Sequence, residues 1–146
     1  MSTVLVAHSG PPFTATASSA TLNAPNSGQF ADCLSTPQKI GSILHWYDPS
    51  AFGAPSQGRF GTCGTGSLWG PGLVNIDFGL QRKFQVSERL QLSFRAEMFN
   101  AANTPHHVMS STSVSNSTFL QAISIGNTGR EGEEQRATRF SLHVSF

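Results

Sequence analysis

The sequence predicts an all-β protein built from about four antiparallel amphipathic strands and two long loops. Apolar and polar residues alternate along three stretches of the chain, and a side-chain period of two is typical of strands. The intervening segments are rich in Gly, Pro, Ser and Asn, and only 12% of the 146 residues are charged. The net charge of +1 provides no basic surface, so we expect no nucleic-acid partner.

The first half of the chain contains one predicted strand and one long loop. Residues 2–9 are apolar and end at Gly10-Pro11-Pro12, so we predict a strand there, with a possible extension over 13–17. Residues 18–72 show no sustained period and contain several prolines, so they form the first long loop. A structureless stretch of this length is usually functional or mobile.

The three clearest strands lie at residues 74–86, 90–99 and 137–146, and residues 100–136 form the second long loop. The apolar positions are Val74, Ile76, Phe78, Leu80, Phe84, Val86, Leu90, Leu92, Phe94, Ala96 and Met98, followed in the last strand by Phe140, Leu142, Val144 and Phe146. The opposite positions carry the charged or titratable residues Asp77, Lys83, Arg95, Glu97, Arg139 and His143. Only Arg82 interrupts the apolar series.

A tight turn at residues 87–89 joins the strands 74–86 and 90–99. Directly opposed residues of two paired strands share a face. Because apolar residues occupy the even positions of both strands, the turn must hold an odd number of residues. Three residues (87–89) and five residues (85–89) both satisfy this condition.

The two-faced strands have two interpretations. Strands of about 9–11 residues cross a bilayer when tilted, and short turns at one end with long loops at the other are typical of a membrane barrel. An antiparallel sheet packed on a partner or on its own loops fits the same alternation. The chain end favours the barrel, because a last strand that ends on an aromatic residue, Phe146, is typical of outer-membrane barrels. The barrel-assembly machinery would recognise this strand through Phe140, Leu142, Val144 and Phe146.

The barrel interpretation orients the strands. The apolar positions between 74 and 98 face lipid, and the charged positions face the lumen. If Phe146 lies at the periplasmic rim, the turn 87–89 is periplasmic and both long loops are extracellular. Arg82 then falls near the rim, where a long basic side chain can reach water. Phe94 and Leu142 fall nearer the middle of the membrane.

An ordered series of segments supports a more specific interpretation. The segments are WYDPSAF at 46–52, RFGT at 59–62, GPGLVNID at 70–77, FQVSERLQLSFRAEMFN at 84–100, NTPH at 103–106 and RFSLHVSF at 139–146. Together with the opening VAHSGPPFT at 6–14, this series resembles the C-terminal part of TonB-dependent receptor-like outer-membrane proteins. The likeness is strongest to the Oar-like group, which has an N-terminal carboxypeptidase-regulatory-like domain.

The resemblance implies a large plugged barrel in a bacterial outer membrane that imports a bulky nutrient with energy from TonB. The chain is then a C-terminal fragment that does not transport alone. Its expected partners are outer-membrane lipid, the assembly machinery, the rest of the barrel and its plug, and TonB through the missing N-terminal part. The alternative is a soluble all-β module that binds a ligand such as a carbohydrate.

The sequence offers few residues for chemistry. Cys33 and Cys63 lie in the same long loop, depart from the family pattern, and fit either a disulfide or two free thiols. A metal site built from them and His45 lacks a recognised ligand spacing. No catalytic or cofactor-binding motif is found. We therefore predict no enzyme activity, no cofactor and no metal.

The remaining candidates have both a functional and a structural interpretation. Asp77, Arg95, Glu97 and Arg139 could line a substrate path, but cross-strand pairing is the interpretation that we prefer. The pair His106-His107 is read as part of a polar loop. Three further residues could contact a ligand in the outer loop or simply pack within it, namely Trp46, Tyr47 and Trp69.

Overall fold

The computed structural model describes residues 1–22, 28–126 and 135–146. The described chain divides into two compact units. One comprises Met1–His8, Leu73–His106 and Gly126–Phe146, and the other comprises Ser9–Gly72 and His107–Ile125. The charged segment at residues 129–134, within the second predicted loop, lies outside the described residues. Among those described, no helix is both long and apolar enough to cross a membrane.

The first unit is a sheet of four antiparallel strands, which confirms the predicted fold class. The strands are β1 (Ser2–His8), β2 (Leu73–Gln85), β3 (Gln91–Phe99) and β4 (Ala137–Ser145), and they lie side by side in this order. Each strand end lies within one residue of its predicted position. The alternation therefore located the strands well, because the side chains of a strand point to opposite faces in turn.

The β2–β3 hairpin has the predicted odd turn length. Phe84 lies opposite Leu92 and Gln85 lies opposite Gln91. The Val86 N–H donates to the Leu90 carbonyl at 2.9 Å, so residues 87–89 form the tip of the turn. Apolar residues of both strands consequently fall on one face, called the apolar face below, and the alternate residues fall on the polar face.

The apolar face continues onto both outer strands. On β4, Leu142 lies opposite Phe94, and the rings of Phe94 and Phe140 stack with centroids 6.2 Å apart. On β1, Leu5 lies opposite Ile76, so it joins the apolar face, whereas Val4 lies opposite Asp77 on the polar face. β1 is therefore apolar on both sides, unlike the other three strands.

This open sheet leaves large apolar side chains uncovered. Leu5 is 65% exposed, Phe140 71% and Leu142 62%. Within the described residues, β1 and β4 each pair with one strand only, so both edges of the sheet are open. Open edges and contiguous apolar patches promote association between chains.

We expect the purified 146-residue chain to be insoluble without detergent and dispersed in it. Ultracentrifugation of matched samples with and without micelles measures this. A monodisperse, cooperatively unfolding monomer in plain buffer would contradict the expectation and would favour a soluble module.

The second unit has short strands instead of the predicted irregular loop. Pro12–Phe13 pairs with Leu68–Trp69, and Thr16–Ala17 pairs with Gln29–Phe30. The possible extension over 13–17 thus consists of parts of two short strands that belong to the second unit and do not lengthen β1. At Gly10 the backbone passes so close to the Gly70 carbonyl that a Cβ atom would collide with it. Two further pairs are Asp32–Cys33 with Phe52–Gly53 and His107–Val108 with Ser124–Ile125.

A small core holds the second unit together. Its buried members are Ala15, Ala31, Tyr47, Ala51, Phe52, Cys63, Leu68 and Leu120. The rings of Phe52 and Phe119 pack edge to face, with centroids 5.5 Å apart. The two long loops meet here, since the Trp46 N–H donates to the Leu120 carbonyl at 2.9 Å. Much of the two predicted long loops therefore forms a packed structure.

Candidate functional site

The polar face of β2, β3 and β4 brings most of the predicted charged residues together. Glu97 lies opposite Arg139, and Lys83 lies opposite Ser93. Ser93 in turn lies opposite His143 on β4. Arg95 is on the same face, between Gln81 and Ser141. The face is one polar surface spanning three strands.

The charged residues at one end of this face contact neighbouring side chains. The Arg95 guanidinium forms an ion pair with the Glu97 carboxylate on the same strand. The Arg139 guanidinium lies 5.3 Å from the centre of the Phe99 ring. Exposed ion pairs contribute at most about 1 kcal/mol to stability. These residues therefore define the electrostatic character of the face more than they stabilise the sheet.

Asp77 has a different role from the other charged residues. It lies opposite the apolar Val4, and its carboxylate accepts hydrogen bonds from Asn75 Nδ2 and from the Asn100 N–H, both at 3.0 Å. The carboxylate thus ties the end of β3 to β2. It is a structural group at the strand ends.

Asn100 organises the turn that follows β3. It has a φ of 45° and is 1% exposed. Its side chain bonds Thr104 twice, because Nδ2 donates to the Thr104 carbonyl and Oδ1 accepts from the Thr104 N–H, each at 3.0 Å. Asparagine tolerates this left-handed backbone better than other residues with a Cβ. The segment is part of the series quoted for the resemblance, but its structural role was not foreseen.

We expect Asn100→Ala to lower the free energy of unfolding by about 2–3 kcal/mol, from two lost hydrogen bonds and a strained backbone. Asn103 is the control, because it has a φ of 52° but an exposed side chain. Asn103→Ala should cost only about 1 kcal/mol, the backbone term alone. Urea titration in detergent compares the two. Equal losses would show that the Asn100 side chain contributes nothing.

A second polar cluster lies inside the second unit. The buried Asp32 carboxylate forms an ion pair with Arg59 and accepts a hydrogen bond from the Thr62 N–H at 3.2 Å. Gln29 Nε2 donates to the Arg59 carbonyl at 2.9 Å. Gly61 lies against the Phe30 and Ala31 carbonyls, where a Cβ atom would collide. This cluster fastens residues 59–62 to the strands at 29–33.

Cys33 and Cys63 form a disulfide in the structure, with Cα atoms 5.0 Å apart. The bond joins the same two segments as the Asp32–Arg59 pair. Of the two alternatives left open by the sequence, the structure contains the disulfide. The thiolates that a metal site with His45 would need are therefore absent. Among the described residues, no group of three or more His, Cys, Asp or Glu is arranged to hold a metal ion.

The aromatic candidates pack within the second unit. Trp46 Nε1 donates to the Trp69 carbonyl at 2.8 Å, and the Trp69 N–H donates to the Tyr47 hydroxyl at 3.0 Å. Tyr47 is buried, while Trp69 is 52% exposed. Next to Tyr47, the hydroxyl and N–H of Ser50 donate to Asp48 and hold the pKa of its carboxyl below the usual value. These contacts make WYDPSAF a structural segment of the loop.

The histidine pair is divided between the two units. His106 is buried, and its carbonyl accepts from the Gly126 N–H at 2.8 Å in the first unit. His107 begins a short strand of the second unit, opposite Ile125. The backbone of His106 therefore forms a hydrogen bond within the first unit, whereas the backbone of His107 belongs to a strand pair of the second unit.

The predicted depth of Arg82 is not compatible with that of Phe94. The two residues lie directly opposite each other, and neighbouring strands are only about 4.8 Å apart. Arg82 cannot therefore lie near the rim while Phe94 lies near the middle. The Arg82 guanidinium sits 4.9 Å from the Phe84 ring, so its side chain extends towards the turn 87–89.

A sheet with one apolar and one polar face, strands of 7–13 residues and a tight turn has the features of a membrane barrel wall. The sequence matches the family described as outer membrane beta barrel domain over residues 1–135. The match covers most of the chain, and the protein belongs to this family. Its location is accordingly an outer membrane. Neither the curated proteins nor the solved structures include a match to the chain.

Proposed function

We propose that this chain supplies the C-terminal strands of a TonB-dependent receptor in a bacterial outer membrane. The receptor imports a bulky nutrient, and these strands do not transport it alone. Membership of the outer-membrane barrel family carries the general part of the proposal. The finer part rests on the ordered series of segments that resembles Oar-like receptors, including the turn built around Asn100.

The asymmetry of the connections supports a receptor. One end of the β2–β3 hairpin has a three-residue tip, whereas the connection between β1 and β2 is a packed unit with its own core. Extracellular loops of barrels are longer than periplasmic turns. A folded loop unit offers a surface for capturing a large molecule outside the cell.

In this proposal the open edges of the sheet have partners. Further barrel strands continue the sheet beyond β1 and β4, lipid covers the apolar face, and the polar face lines the lumen beside the plug. Phe140, Leu142, Val144 and Phe146 serve as the signal for the assembly machinery. TonB acts through the N-terminal part of the receptor, and we propose no enzymatic step for these residues.

The proposal is tested in the source cells with an antibody against residues 28–72. We expect it to detect an outer-membrane protein much larger than 15.6 kDa that cross-links to TonB. A large outer-membrane protein that does not cross-link to TonB would contradict the receptor proposal but would remain consistent with a barrel. A 15.6 kDa band in the soluble fraction would overturn both and favour the soluble module.

A further inference from the structure

We propose that the polar face of β2–β4 docks an extended, acidic polypeptide segment. The face has a shallow cavity of about 430 Å³. Rows of directly opposed residues, called rungs below, line the cavity. A complete rung contains one residue from each of the three strands. Two complete rungs line the cavity, namely Gln81, Arg95 and Ser141, and then Lys83, Ser93 and His143. Gln91 and Ser145 of the next rung complete the lining.

The cavity is cationic. Lys83 and Arg95 line it, and no carboxylate from the described part of the chain does. Lys83 forms no ion pair within the described part of the chain. Arg95 is paired with Glu97 on one side, but its side chain is still 56% exposed, and a guanidinium has five N–H donors. The site is therefore complementary to negative charge.

The lining favours a polypeptide over a small ligand. Pockets for small molecules are mostly apolar and enclosed, whereas this cavity is open and lined by amides, hydroxyls, an imidazole and two cations. Among the described residues, no Phe, Tyr or Trp lines the cavity, so a sugar would find no large aromatic side chain to stack on. Amide and hydroxyl side chains both donate and accept, which is what the backbone of an extended chain requires.

The spacing of the cations specifies the segment. Lys83 and Arg95 are diagonal neighbours on adjacent strands, and such neighbours lie about 7–8 Å apart. Side chains two residues apart in an extended chain point the same way and are about 7 Å apart. Two acidic residues separated by one other residue therefore reach both cations at once.

The test uses the full chain in neutral detergent micelles and two labelled decapeptides, one alternating Glu and Ser and the other alternating Gln and Ser. Fluorescence anisotropy measures binding. We expect the Glu peptide to bind and the Gln peptide to bind at least about fivefold more weakly, the change of about 1 kcal/mol given by an exposed charge pair. Equal binding of both peptides would overturn the proposal.

Variants locate the site. Lys83→Gln and Arg95→Gln should each weaken binding of the Glu peptide about fivefold, and Lys83→Arg should preserve it. Arg82→Gln is the matched control, because it removes the same charge from the next residue on the apolar face. Equal weakening by Arg82→Gln would overturn the site. So would tighter binding of dextran sulfate than of the Glu peptide, since a polysaccharide would then be the ligand.

Circular dichroism of each variant records its strand content. If Lys83→Gln loses strand structure, the comparison is made between Lys83→Arg and Arg95→Gln. Binding that survives Arg95→Gln in a folded chain would contradict the proposal.

Discussion

Replacing Phe78 by arginine is expected to lower the free energy of unfolding of the membrane-embedded barrel by about 2–4 kcal/mol, the cost of a charge at the bilayer midplane. Phe78 is on the apolar face and lies between Thr3 of β1 and Met98 of β3. An arginine there would have Thr3, Met98 and lipid around it, and none of these would pair with its charge. No rim is within easy reach of its guanidinium.

The depth of Phe78 follows from Arg82. A tilted strand advances about 2.5 Å per residue along the membrane normal, so four residues correspond to about 10 Å. The apolar band of a barrel is about 25 Å tall. If Arg82 reaches water at one edge of the band, as its position over Phe84 indicates, Phe78 lies near the middle.

Two further variants make the prediction specific. Gln81→Arg places the same side chain on the polar face of β2 and should cost much less. Phe94→Arg should cost an intermediate amount, because Phe94 is level with Arg82. Urea unfolding in lipid vesicles measures all three. If Gln81→Arg lowers the free energy of unfolding more than Phe78→Arg does, the assignment of the two faces is inverted. If Phe94→Arg lowers it more than Phe78→Arg does, Phe94 lies nearer the bilayer midplane, as the sequence predicts.

Removing the disulfide by the double replacement Cys33→Ser and Cys63→Ser should destabilise the second unit by about 3–4 kcal/mol. The bond links residues 30 positions apart, and a cross-link that closes a loop of this length restricts the unfolded chain by about that amount. The Asp32–Arg59 cluster would remain to hold the same segments. We therefore expect a weakened unit that still forms at low temperature.

Hydrogen exchange measured by mass spectrometry tests this expectation. Peptides covering residues 28–33 and 59–69 should exchange faster in the variant, since the Cys63 N–H donates to the Ala31 carbonyl at 3.0 Å in the intact unit. Peptides from β2 and β3 provide the internal control and should be unchanged. Reductant should reproduce the effect in the unaltered chain. Unchanged exchange at both segments would show that the disulfide adds no stability.

The sheet could be predicted because its signal is local. A strand of nine or more residues repeats its side-chain period often enough to be seen, as in β2 and β3. The odd length of the turn followed from the same pattern. The depth of Arg82 in the membrane relative to Phe94 could not be predicted in this way. It depends on the strand register, which places Arg82 directly opposite Phe94.

The second unit could not be predicted because its contacts are distant in sequence and its strands are too short to show a period. Thr16 donates to the Thr112 carbonyl at 2.8 Å, across 96 residues. The sequence alone does not indicate that Asp32 and Arg59, which are 27 residues apart in a predicted loop, form an ion pair. The quoted series of segments did contain Arg59 and Asn100, but a resemblance names such residues without saying what they contact.

The disulfide also determines what a single protease cut in the second unit can achieve. Residues 56–60 are exposed and lie between Cys33 and Cys63, so a cut there opens the loop without releasing either piece. Both ends remain covalently attached, and the Asp32–Arg59 pair keeps them in place. A nicked protein would migrate as one chain on a non-reducing gel and as two after reduction.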